Sequence, residues 1–313
     1  MDKLKKVGLT ALAGTFAISS AQALEMSASG SAGFTYSSSD SDEVTGERFS
    51  FGDSITLSGS GETDMGWTVT ASYELDDGST PFDDQTVSID TGNGTFKVQT
   101  AASSGGHHDL VPNAYGSASY SLSNGVGTET SKHVADGGTG TTDISYHNAD
   151  LAGVGVVVNL SPGATGGTDT VIKLKKADLV DGLTAAVSYG QINPSDATND
   201  QDELTLSASY AMGGVTVGYT KYNRTFAASG SADTEGTHIG ASFAVNEDLS
   251  VSFGMSTVEF EDGSKTDQED SGFSVSYTMG SMSLTAAANA SDNVGGTNGT
   301  DDTHKEVGLA FSF

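Results

Sequence analysis

The sequence has no cysteine, so disulfides can contribute nothing to its stability. Proline occurs only four times, too rarely for a proline-rich disordered chain. Positive charge is scarce: 13 Lys and Arg stand against 41 Asp and Glu, a net charge of −28 that repels nucleic acid and anionic lipid and attracts divalent cations. No apolar run reaches the roughly 18 residues of a transmembrane helix. No G-x-x-x-x-G-K motif and no nucleophile–base arrangement stands out, so the sequence offers nothing to support an enzyme.

The N-terminus is of a different kind. "MDKLKK" is a short basic segment, "VGLTALAGTFAISS" is apolar but too short to span a bilayer, and Ala21–Ala23 form an A-x-A site. Together they predict a secretory signal peptide over 1–23, cleaved after Ala23, and one domain over 24–313. Removing Asp2, Lys3, Lys5 and Lys6 takes the net charge from −28 to −30 and leaves 40 carboxylates against 10 basic residues. An exported chain of this size without disulfides is held by burial and hydrogen bonding.

Apolar residues recur at every second position through most of the remainder. In "GWTVTASYEL", Trp67, Val69, Ala71, Tyr73 and Leu75 share one face and Thr68, Thr70, Ser72 and Glu74 the other. "ELTLSASY", "LSVSFGMS", "GFSVSYTM" and "SMSLTAAA" repeat the scheme, and helical spacing is almost absent. The pattern predicts sixteen strands, near 27–37, 48–58, 66–75, 84–91, 94–101, 142–148, 153–161, 169–178, 183–192, 201–211, 214–224, 235–244, 248–259, 269–278, 282–290 and 303–313.

Their connections alternate. Short ones such as "GN" (92–93), "MGG" (212–214), "VNED" (245–248) and "MGS" (279–281) suit tight hairpins, and longer acidic ones lie between them. This alternation puts all turns at one end of the strands and all loops at the other. The connection over 102–141 is far longer than the rest, the length of a functional loop. It contains "YGSASYSLS" (115–123), which alternates like a strand and would alter the count. Phe34, Tyr36, Phe49 and Tyr73 lie near loop ends; Trp67, Tyr210, Phe243, Tyr277, Phe311 and Phe313 lie near turn ends, as two interfacial belts would.

A soluble sandwich also alternates. Here the apolar face is rich in Ala and Gly, and the opposite face is uniformly Ser, Thr and Gly rather than Lys and Glu. No linker divides sixteen strands into domains. The fold class is therefore all-β: a transmembrane antiparallel β-barrel, closed because lipid tolerates no open sheet edge.

With the signal peptide, "VSIDTGNGTFKVQT" before the long loop, "ISYHNADLAGVGVVVNL" after it and the terminal "VGLAFSF", the chain resembles the Gram-negative general porins, closest to the alphaproteobacterial type. The resemblance spans the mature chain, mostly as pattern. It implies a 16-stranded homotrimer in the outer membrane, among lipid and lipopolysaccharide. It also implies a third loop folded into the pore, and a Phe313 strand of the kind read by the barrel-assembly machinery. In such porins acidic loop residues face basic residues of the wall. By strand parity Arg48, Lys97, Lys173 and Lys175 point inward and would form the basic wall; the loop side would come from His107, His108, Asp109, Asp136 and Asp143. Porins of this type usually carry an arginine cluster, whereas the mature chain has only Arg48 and Arg224.

"GGHHD" (105–109) has metal-binding residue types, but adjacent histidines point apart on an extended chain and no third ligand is fixed. Pore lining is the better reading, and no cofactor is expected. The Asp clusters at 76–84, 196–203 and 261–270 lack calcium-loop spacing and suit at most loosely held Ca²⁺ or Mg²⁺ at the outer loops. The expected function is passive diffusion of small hydrophilic solutes with weak cation selectivity. The alternatives are a structural or adhesive barrel without an open pore and a solute-specific porin.

Overall fold

The computed structural model describes residues 25–40, 46–76, 84–100, 108–115, 142–162, 168–192, 200–227 and 232–313. The segment expected to be a signal peptide, His107, Asp136 and all of "YGSASYSLS" beyond Tyr115 lie outside them. Sixteen strands follow in order: β1 (Glu25–Asp40), β2 (Gly46–Glu62), β3 (Thr68–Asp76), β4 (Gln85–Asp90), β5 (Thr95–Thr100), β6 (Thr142–Leu151), β7 (Val154–Pro162) and β8 (Thr168–Lys176). The second half comprises β9 (Leu183–Ile192), β10 (Gln201–Met212), β11 (Val215–Phe226), β12 (Thr234–Ala244), β13 (Leu249–Phe260), β14 (Gln268–Met279), β15 (Met282–Asp292) and β16 (Asp302–Ser312). Each strand pairs antiparallel with its sequence neighbours, and β16 pairs with β1 to close the barrel.

Closure leaves no edge, the condition that hydrocarbon imposes on a sheet. Burial is accordingly turned inside out. Phe51, Leu206, Ile239, Phe253, Met255, Phe273 and Val307 point outward and are exposed, while Glu203, Thr205, Thr220, Gln268, Ser291, His304 and Glu306 are buried on the inner side. A water-soluble sheet would do the reverse. The outward aromatics also pair across strands: Tyr36 and Phe49 ring centres lie 5.1 Å apart, and those of Phe96 and Tyr146 4.9 Å.

The seam between the last strand and the first is secured on both faces. On the inside, Ser39 Oγ lies 2.8 Å from His304 Nδ1 and His304 Nε2 lies 3.3 Å from Glu306 Oε2. On the outside, Gly30 and Phe313 exchange two backbone hydrogen bonds of 2.9 Å each, and the Phe313 ring lies over Gly30 where a Cβ would come within 2.7 Å of it. At the same turn end of the strands, the β6–β7 hairpin turns through Ala152 and Gly153 at φ 54° and 82°, the left-handed pair that a two-residue hairpin requires.

The outward face sets a test. Ile239→Arg, at the middle of β12, is expected to destabilise the barrel by about 2–4 kcal/mol in bilayers, against less than about 1.5 kcal/mol for Ile239→Leu. Denaturant titration in lipid vesicles measures both, and equal effects would contradict the lipid-facing assignment.

Candidate pore constriction

β5 ends at Thr100 and β6 begins at Thr142, so the longest connection lies between them. Its described part, residues 108–115, runs as an extended strap along the inner wall from β9 to β15. The His108 N–H donates to Ser188 Oγ on β9 (3.0 Å), and the Leu110 N–H to Ser207 Oγ on β10 (2.8 Å). The Asp109 carboxylate accepts from the Thr220 hydroxyl on β11 (2.7 Å) and lies 2.9 Å from His238 Nδ1 on β12. Further along, the Ser274 hydroxyl of β14 donates to the Asn113 carbonyl (3.4 Å), and Asn289 Nδ2 of β15 donates to the Tyr115 carbonyl (2.9 Å). The Ser/Thr/Asn face of the wall thus pairs backbone groups that the strap, belonging to no sheet, cannot pair itself.

Hydroxyls alone do not let a chain lie this close to a wall. Gly218, Gly240, Gly254 and Gly272 sit directly opposite one another on β11, β12, β13 and β14, a row of four inward positions without side chains. A Cβ on Gly218 would lie 2.6 Å from Val111 Cα, one on Gly240 2.6 Å from Val111 Cγ1, and one on Gly272 2.5 Å from the Tyr115 ring. The row is a trough, and the strap lies in it.

The expected site residues fall into three groups. Lys97, Lys173 and Lys175 are brought together on the inward side of β5 and β8, and their charges act on His108 or His147. Arg48 lies inward near the loop end of β2, opposite Ser37, away from that group. Asp109 departs from the expected role. Its carboxylate does not face the lysines; it is held by Thr220 and His238 and anchors the strap. Asp143 belongs to β6 rather than the loop and stands buried beside Gln99.

Other contributors escaped sequence reasoning. Arg224 is spent on a buried pair: its Nε and Nη2 lie 2.9 and 2.8 Å from Glu203 Oε2. His238 was not singled out. The glycine trough had a visible signal, one inward Gly in each of "VGY", "IGA", "FGM" and "SGF" on four successive strands.

Two titratable residues at the start of the strap, His108 and Asp109, respond to this setting. Burial, then the charges of Lys173 and Lys175, push the His108 imidazole down to about 4. Burial works to raise the Asp109 carboxyl, but the hydrogen bond and charge of His238, with the Val111 N–H and the Thr220 hydroxyl, outweigh it and hold the group below its ordinary value.

The family model for Gram-negative porins matches residues 8–313. The chain belongs to the Gram-negative porin family. A search of curated proteins finds no significant match. Solved porins share the fold at low identity. The anion-selective porin from Comamonas acidovorans superposes with a TM-score of 0.67 at 16% identity, covering 93% of this chain and 100% of that one. Outer-membrane-expressed OmpT of Vibrio cholerae gives 0.67 at 13%, covering 95% and 100%. A Rh. blastica porin mutant gives 0.64 at 15%, covering 92% and 100%. This porin is a protein of the outer membrane, with its loops as the outer connections and its turns as the periplasmic ones.

Two tests follow from the trough. Gly218→Val pushes the strap off the wall towards the axis and is expected to lower single-channel conductance; an unchanged value would show that the strap does not narrow the path. Acid is expected to loosen the seat. His108 is held neutral, so the seat loses stability as pH falls from about 6.5 towards about 4. The depressed Asp109 carboxyl adds its loss only below that. Open-channel current noise at pH 7.5 and pH 4.5 measures this, with greater noise expected at the lower value.

Proposed function

We propose that this porin is a non-enzymatic, water-filled channel for passive diffusion of small hydrophilic solutes, weakly selective for cations, and that it works as a homotrimer. The observation that carries the channel reading is the lateral seat of the strap. Every hydrogen bond described for residues 108–115 to a strand goes to the wall from β9 to β15, an arrangement that narrows a lumen from one side. A plug would bridge opposite walls.

Selectivity rests on charge. The mature chain carries 40 carboxylates against 10 basic residues, and one of its two arginines is neutralised by Glu203. Loops of one sign raise the local concentration of counter-ions at the mouth. The likeness to an anion-selective porin concerns the fold and leaves this argument untouched. Reversal potentials in a KCl gradient across a planar bilayer test the reading: a cation-preferring potential is expected, and an anion-preferring one would overturn it. Cross-linking in native membranes should give a trimeric ladder.

A further inference from the structure

The lysines expected on the wall do more than line it. Beside the strap, on the β6–β8 side, lies a cavity of about 580 Å³ bounded by His108, His147, Gly155, Lys175 and Lys176, within the size range of small-molecule sites. Lys173 and Lys97 adjoin it: Lys173 acts on both histidines and Lys97 on His147. In the register, His147 faces Val157, which faces Lys173, while Lys175 faces Gly155. Gly155 therefore places no side chain on β7 between the histidine and the lysines. Four of the 13 Lys and Arg residues gather here, in a chain whose net charge is −28.

The one acid lining the cavity is already engaged. Asp150 Oδ1 accepts the Gly153 N–H at 2.6 Å in the β6–β7 turn, and Lys176 Nζ donates to the Gly153 carbonyl. His147 Nε2 lies 2.9 Å from Ser145 Oγ. Lys175 and Lys176 are the last residues of β8, so the cavity lies on the turn side, towards the periplasm.

We infer that this cavity is a binding station for small solutes bearing a doubly charged oxyanion, of the phosphate monoester class. The inference rests on the channel reading and names a solute for the same lumen. Neighbouring ammonium groups along β8 suit an anion with several oxygens better than a single halide, because one ligand accepts from more than one of them. A dianion also gains twice the Coulomb energy of a monoanion from the same lysines. The cavity is large enough to hold the organic portion as well as the phosphate.

Calorimetry on the detergent-solubilised full-length barrel at low salt tests the station. The probes are glucose 6-phosphate and, as the uncharged control, glucose. Glucose 6-phosphate is expected to bind and glucose not. Lys173→Gln combined with Lys175→Gln should weaken binding roughly tenfold or more. Lys265→Gln, on an outer loop, should leave it unchanged. Equal binding by the double variant, equal binding of glucose, or no binding at all would overturn the station. Conductance in KCl keeps the two readings apart: a barrel that conducts but does not bind loses only the station, and one that binds but does not conduct loses only the channel.

Discussion

The backbone's demand for hydrogen-bond partners governs this structure. In hydrocarbon no water replaces a missing partner, so every strand needs a neighbour on both sides and the sixteenth must meet the first. Closure then dictates the composition. Side chains alternate between lipid and lumen, which puts large apolar residues such as Phe253 and Ile239 on the outside and leaves Ser, Thr, His and Glu within. The acidic character follows no such rule and is free to serve the loops.

The same demand shapes the interior. A strap laid along the lumen wall brings its own amide groups, and they require partners wherever water is displaced. Ser188, Ser207, Ser274 and Asn289 supply them from four strands, while Asp109 reaches back to Thr220 and His238. The wall is thus at once the lining of a channel and the second half of a polar interface. Arg224 and Glu203 belong to that wall as a neutral pair, and Lys97, Lys173 and Lys175 stand on β5 and β8.

The strands were legible because alternation is a local property. All sixteen appear within a few residues of their expected positions, including those as short as β4 and β5, because each alternates on its own and is bounded by turn residues. The inward direction of Lys97, Lys173 and Lys175 followed from the same parity. What parity cannot supply is which inward residue meets which across the lumen. Asp109 reads as an acid offered to the lysines, yet it is satisfied by two strands that lie more than a hundred residues further on. His238 gave no signal by itself, because its role exists only once the strap reaches it. The glycines were readable one at a time as weak points of a strand, and only cross-strand register makes four of them a single trough.

The meeting of Gly30 with Phe313 works as a keyed joint. A slip of one residue between β1 and β16 turns every apolar side chain inward and excludes itself. A slip of two preserves both faces and is the error that polarity cannot detect. It would put the terminal ring over Ala28 or Ala32, where a methyl group stands in place of the open position at Gly30. One missing side chain opposite one terminal ring therefore distinguishes the correct closure from the nearest wrong ones that lipid would accept.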